Sequence, residues 1–310
     1  MPAEVFGRDY AFLPHAEVLT YEEIQRLAAI FVGLGVRKLR ITGGEPLVRK
    51  ALPDLVALLA ELRSPDGDDV DLTLTTNGSA LRPLARPLAD AGLRRITVSL
   101  DSLDDATFRR MNGVDFPVAR VLDGIAAARE AGLEPVKVNM VVKRGENEAS
   151  LVPMARWARG EGLILRFIEY MDVGTSNGWR LDDVVSAAEI VAAIDAEMPL
   201  ELAAPTYRGE VAGRWRYRDG SGEIGVIASV TQPFCGDCTR ARLSAEGKLY
   251  TCLFSAIGTD LRAPLRSAAT DVELRAILER VWGARTDRYS ELRTEATSHL
   301  PRVEMFALGG

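Results

Sequence analysis

Three cysteines, Cys235, Cys238 and Cys252, are all that the 310-residue chain contains, and they fall within 18 residues as C-x2-C-x13-C. An odd, crowded set is poor material for a disulfide framework, whereas thiolates at this spacing can grip one face of a metal centre. Two kinds of centre are open on these residues. A structural zinc needs a fourth ligand to close its tetrahedron, and only His15 and His299 could supply an imidazole. A cubane iron–sulfur cluster accepts three thiolates and leaves one iron vacant for a substrate.

Short motifs of glycine and small polar residues form a second group: Gly43-Gly-Glu-Pro46, Thr75-Thr-Asn-Gly78, Ser99-Leu-Asp101, Lys137-Val-Asn139 and Glu169-Tyr-Met171. Paired glycines let a backbone come close to a ligand amino group, and Ser, Asn and Asp give short polar contacts. Singly, each is weak, since GGEP is equally a tight turn and SLD a helix cap. Their placement gives them meaning, because in parallel α/β folds the loops at the C-terminal ends of strands converge on ligands.

The elements that must position them alternate from about residue 20 to 172. Thr20-Tyr-Glu-Glu23 reads as a capping box, followed by a helical stripe of Ile24, Leu27, Ala28, Phe31 and Leu34. Five strands are expected at Lys38–Thr42, Asp71–Thr75, Arg95–Leu100, Val136–Val142 and Leu163–Tyr170, with helices at Leu52–Leu62, Leu81–Ala91, Val118–Ala131 and Leu151–Arg159 between them. This is the signature of repeated βα units around a parallel sheet. Beyond 172 the alternation stops. Ser186 and Thr270 open further capped helices, and Gly209 to Gly225 reads as β-hairpin.

Charged residues are 26% of the chain and the formal net charge is -6, so a general affinity for nucleic acid backbone is not expected. Any phosphate site should be local. No apolar run reaches membrane-spanning length and no secretory leader is read, which places the expected location in the cytoplasm, with neither nucleic acid nor membrane as partner.

Phe234-Cys-Gly-Asp-Cys-Thr-Arg-Ala-Arg242, then Gly247-Lys-Leu-Tyr-Thr-Cys-Leu-Phe254, the five motifs in order, and the terminal Gly309-Gly310 together resemble the GTP 3′,8-cyclase family of radical S-adenosylmethionine enzymes, over essentially the whole chain. The resemblance implies an α/β fold: an incomplete (βα)6 TIM-like partial barrel over 1–172, lacking its first strand, and an α+β region over 173–310 that binds a cluster and GTP. It implies that Gly44, Ser99 and Met171 hold S-adenosylmethionine. Arg40, Thr75, Lys137, Arg240, Ala241 and Arg242 match GTP positions, and Lys38 and Arg166 are additional triphosphate candidates. Cys235, Cys238 and Cys252 match the ligands of a 4Fe–4S cluster whose open iron takes the guanine. Thr239 stands where the family usually has Asn. The implied reaction starts when another 4Fe–4S cluster cleaves S-adenosylmethionine to a 5′-deoxyadenosyl radical. That radical removes hydrogen from C3′ of the GTP ribose, and the carbon radical attacks C8. A homodimer, a pathway link to cyclic pyranopterin monophosphate synthase and a Gly-Gly tail entering the site are implied on the same ground.

That other cluster is bound in the family by C-x3-C-x2-C directly before a Met-Pro sequence, and this chain opens Met1-Pro-Ala-Glu4 without such a motif. The expectation is that the motif and the strand before it have been cut off by a misplaced start, leaving an unpaired edge at Lys38–Thr42 and a chain that cannot generate the radical by itself. The rivals are a non-catalytic nucleotide- or metal-binding relative and another radical enzyme with an auxiliary cluster.

Overall fold

A computed structural model describes residues 13–113, 116–174, 178–293 and 303–304. The Gly309-Gly310 expectation lies outside them. The order runs α1 (Tyr21–Gly33), β1 (Lys38–Ile41), α2 (Leu52–Ala60), β2 (Asp71–Thr76), α3 (Leu81–Asp90), β3 (Arg95–Ser99), α4 (Asp105–Asn112), α5 (Val118–Glu130), β4 (Lys137–Val142), α6 (Leu151–Gly160) and β5 (Ile164–Glu169). It continues through α7 (Ala187–Asp195), β6 (Leu200–Ala203), β7 (Gly213–Tyr217), β8 (Glu223–Ile227), β9 (Arg242–Leu243), β10 (Lys248–Tyr250), β11 (Thr259–Asp260), α8 (Arg262–Arg266), α9 (Asp271–Gly283) and α10 (Tyr289–Leu292).

The alternation produces an α/β fold with one mixed eight-stranded sheet in the order β1-β2-β3-β4-β5-β8-β7-β6. Strands β1 to β5 are parallel neighbours in sequence order, as the βα repeats require. The parallel sheet read over residues 20–172 forms, and strands from beyond 172 extend it at its far side. There β8 joins β5 in parallel, and β7 and β6 add antiparallel strands. Among the described residues β1 has β2 as its one sheet neighbour.

Strand period sorts the side chains. Leu72, Leu74, Ile96, Val98, Val138, Met140, Leu165 and Phe167 point to one face and are buried in a core shared with the helices. Each such side chain contributes about 1.5–3 kcal/mol on burial. The alternate positions, Lys38, Arg40, Thr73, Thr75, Arg95, Thr97, Ser99, Lys137, Asn139 and Arg166, make a polar face. A second core joins α1 to the C-terminal half: Leu27 and Ile30 pack with Leu249, Leu261, Leu265, Leu274 and Leu278.

The capping boxes at Thr20, Ser186 and Thr270 form as read. Helix α4 and strand β6 were not read from the sequence. Helix α4 buries only Phe108, so its apolar stripe is too thin to see, yet the Asp104 side chain caps it and Gly113 at φ +66 ends it. Strand β6 buries only Leu200. Glu169 ends β5 fully buried, and its carboxylate accepts hydrogen bonds from the backbone N–H of Ala187, Val230 and Thr231 at 2.8–2.9 Å and from the Thr231 hydroxyl.

Candidate functional site

The strand-end motifs fall on two levels. Gly44, Ser99 and Met171 follow or close β1, β3 and β5, at the C-terminal rim of the sheet. Gly43 needs to be glycine because its φ is +137, with nothing within 4 Å of where a Cβ would stand. Glu45 then ties two motifs together. One of its carboxylate oxygens accepts from Leu47 N at 3.0 Å and the Thr76 hydroxyl at 2.7 Å, and the other accepts from Asn77 N at 2.7 Å. Asp101 accepts from Val141 N at 2.8 Å, and burial pushes its carboxyl up to about 6.

Lys137-Val-Asn139 is corrected from a strand end to a strand start, since Lys137 opens β4. With Lys38 and Arg95, which open β1 and β3, it lies below the rim on the polar face. The register aligns Thr75, Thr97 and Lys137 in one transverse row, and Ser99 with Asn139, and Asn139 with Arg166, in the sheet's next rows. Arg40 donates to Thr75 Oγ1 at 2.6 Å and Thr97 Oγ1 at 3.3 Å, and Arg166 reaches the same Thr97 oxygen at 3.3 Å. Arg166 has room because its strand partner Gly225 has no side chain, and a Cβ there would stand 3.0 Å from Arg166 Cγ.

This face has more cations than acids to match them. Asp71 serves both Arg95, at 3.0 Å from Nε, and Lys38, at 3.6 Å. Among the described residues no carboxylate pairs with Arg40, Lys137 or Arg166, and Arg166 Nε is buried with no partner, as is Asn139 Oδ1. Burial, reinforced by the charges of Arg166 and Arg95, lowers Lys137 to about 8, and burial beside Arg40 lowers Arg166 to about 10. Lys137 and Arg166 are half-buried and Arg40 is exposed, so cations without counter-charges stand together on this face, and an anionic ligand would relieve their mutual repulsion.

The cysteine segment stands against this face. Cys235 and Cys238 share one tight turn, in which Cys238 N donates to Cys235 O at 3.2 Å. The hairpin of β9 and β10 pairs Arg242 with Tyr250, so the chain returns and carries Cys252 back beside Arg242 and Cys235. The long x13 gap in the motif is that excursion. All three cysteines are free and half-buried. Burial opposes the Cys238 thiolate, but the charge and hydrogen bonds of Arg240 outweigh it with help from Arg285, and its thiol falls to about 7. Burial raises Cys252, whose Sγ accepts from Phe254 N at 3.5 Å. Among the described residues no three His, Cys, Asp or Glu side chains are drawn together tightly enough to hold a metal ion. The donor set still fits an anionic iron–sulfur group: three thiols, one of them acidified, with the guanidinium groups of Arg240, Arg242 and Arg285 around them.

The two halves of the site are held together by a buried ion pair. Arg293, following α10, donates to Asp172 at 2.9 Å, with side-chain exposures of 6% and 2%, and to Ser229 O at 2.8 Å. Its guanidinium lies over the rings of Phe254 and Tyr289, which stack 4.4 Å apart. Met171 and Cys252 are thereby fixed to one assembly from either end. Arg95, Thr97, Arg285 and Arg293 escaped the sequence reading. For the first two a signal existed, in the strict alternation of K-L-R, D-L-T-L-T and R-I-T-V-S.

Residues 6–158 match the family described as Radical SAM superfamily, and residues 163–291 match Molybdenum Cofactor Synthesis C. A GTP 3′,8-cyclase of Acidothermus cellulolyticus is 58% identical over 297 residues, covering 94% of this chain and 81% of that protein. One from Xanthomonas axonopodis pv. citri is 47% identical over 310 residues, covering 100% and 91%. A solved structure of native anSMEcpe with bound AdoMet and peptide matches with a TM-score of 0.51 at 11% identity, over 89% of this chain and 78% of that one, a likeness of fold.

Proposed function

The chain belongs to the GTP 3′,8-cyclase family of radical S-adenosylmethionine enzymes, and from that premise we propose that its polar sheet face and cysteine segment form one GTP site serving the cyclisation of GTP to (8S)-3′,8-cyclo-7,8-dihydroguanosine 5′-triphosphate. The observation that carries the reading is convergence. Arg240, two residues beyond Cys238, is near enough to Arg40 of β1 to act on its charge, which supports reading the cysteine segment and the polar face as one site. In this reading residues 1–172 form the incomplete (βα)6 TIM-like partial barrel, and 173–310 the cluster- and GTP-binding region.

Arg40, Thr75 and Lys137, with Arg240, Ala241 and Arg242, would hold GTP, and Arg166 and Lys38 extend the cationic wall. Their charges neutralise a triphosphate through charge-assisted hydrogen bonds, and the threonine hydroxyls already orient the arginines. Gly44, Ser99 and Met171 at the rim would hold S-adenosylmethionine. Cys235, Cys238 and Cys252 would hold a 4Fe–4S cluster with an open iron for guanine; the three cysteines of the sequence supply ligands for one such cluster. Bound iron–sulfur groups and S-adenosylmethionine supply the radical chemistry, while the residues of this chain bind, orient and shield the ribose and base.

Anaerobic reconstitution followed by iron counting and electron paramagnetic resonance tests this. One cluster at the three cysteines, with a signal that shifts on adding GTP, is the expected result. Stoichiometric zinc and no response to guanine nucleotides would overturn it.

A further inference from the structure

The chain between β6 and β7, residues 204–212, crosses from the polar face to the cysteine turn, and none of the assignments above uses it. It is closed on itself: the Glu210 carboxylate accepts from Thr206 N at 2.7 Å and the Thr206 hydroxyl at 3.1 Å, and Glu210 N donates to Tyr207 O at 3.3 Å. Its far side rests on the cysteine turn. A Cβ on Gly209, whose φ is +80, would stand 2.9 Å from both Asp237 O and Thr239 Oγ1, and Arg208 approaches Asp237 at 3.7 Å. Its near side carries Tyr207 to the cations. The Tyr207 ring lies 5.7 Å from Lys38 Nζ, and its phenol is close enough to Arg40 and Arg166 to act on the charge of both.

Three cations from β1 and β5 therefore share one aromatic neighbour, supplied by a loop anchored on the cysteine segment. The Tyr207 ring is half-exposed, and among the described residues no group takes its hydroxyl. A phenol in that position has two open roles, donor and face, beside cations from β1 and β5, while the nearby Glu210 carboxylate is taken up by Thr206. A carboxylate would cancel the cations, and an aliphatic side chain would leave phosphate oxygens without a partner on that side. A phenol donates to an anion without competing for the guanidinium groups.

We propose that Tyr207 is a substrate-contacting residue of the nucleotide site, its hydroxyl donating to a phosphate oxygen of the bound triphosphate while its ring covers Lys38, so that the β6–β7 loop closes the site between β1 and the cysteine turn. The proposal rests on the GTP reading above. It also explains why Gly209 fits so closely under Thr239: any side chain there would lift Tyr207 away from the cations.

The test uses the anaerobically reconstituted protein, with GTP affinity by calorimetry and inorganic tripolyphosphate as a competitor that has no base or sugar. Y207F removes one oxygen from a half-exposed ring and should leave the melting temperature unchanged. It should weaken both GTP and tripolyphosphate by the same factor, about ten- to a hundredfold, the size of one lost hydrogen bond to a charged group. R166A, measured alongside, reports on the GTP reading itself. If R166A retains full GTP affinity, that reading fails. If R166A loses GTP while Y207F binds both probes within about twofold of the parent, or loses GTP but not tripolyphosphate, the GTP reading stands and the role given to Tyr207 is overturned.

Discussion

Two sets of charge lie on the same sheet and are treated in opposite ways. The acids at the strand ends are saturated: Glu45 bridges two motifs, Glu169 accepts from four donors and Asp172 is clasped by Arg293 and Tyr289. The cations of the polar face are not, since Arg40, Lys137 and Arg166 have hydroxyl partners or none, and Asp71 is spent on Arg95 and Lys38. Saturated charge holds a fold, whereas unsaturated charge of one sign is destabilising until something of the other sign arrives. On the proposed reading, the difference separates residues that build the sheet from residues kept for a ligand. It also shows that sequence position alone does not tell the two apart, since both sets sit in or beside the same strands.

Mutation of the saturated set should have the largest effect. E169A leaves three backbone N–H groups and a hydroxyl without an acceptor and should cost more than about 3 kcal/mol, read as a large fall in melting temperature or loss of soluble protein. D172A, which strands the buried Arg293, should cost about 3–5 kcal/mol in urea denaturation. If either acid could be removed with little loss of stability, the contrast between the two sets would be wrong.

The unsaturated set should instead respond through ligand and pH. Burial and neighbouring arginines lower the Lys137 ammonium to about 8 from its ordinary 10.5. Its charged form is thus disfavoured on folding. The unfolded chain binds the extra proton between those two values, so stability of the free protein should rise as pH climbs from about 8 towards 10.5. On the proposed reading GTP needs the charged form, so affinity should fall by up to about tenfold per pH unit above 8, and K137M should flatten that profile. Denaturation of the free protein and binding titrations, both from pH 6.5 to about 9.5, check the two signs.

A smaller effect is expected at Gly225. The Cβ of G225A would press on Arg166 Cγ at 3.0 Å and Ala212 Cβ at 3.2 Å. The arginine must shift by a few tenths of an ångström, weakening GTP about two- to fivefold and costing about 1 kcal/mol of stability.

The five parallel strands, their helices and three capping boxes were legible because a period of two or 3.6 and an N-cap are local signals. Helix α4 and strand β6 were not, since one buried residue apiece leaves no period to read. At the site, the cysteine spacing pointed to a metal centre directly, and the family resemblance pointed to Arg40, Thr75, Lys137 and Arg240–Arg242. That Arg40, Thr75 and Lys137 share one face of the sheet with Arg95 and Thr97 was missed. Lys137 was read as part of a strand end because polar residues cluster there, and only the register shows it in a row with Thr75 and Thr97. Arg285 and Arg293 lie far along the chain from what they touch, and no local pattern encodes such contacts.

The most direct test of the central claim is equilibrium dialysis of GTP against the parent protein and an R40A/R166A double variant, with melting temperatures measured on the same samples. Two unmatched cations held for phosphate predict a loss of affinity of about a hundredfold or more, with a melting temperature equal to or above that of the parent. Unchanged GTP affinity, or a loss that comes only with a fall in melting temperature, would show that these arginines hold the sheet together and not a nucleotide.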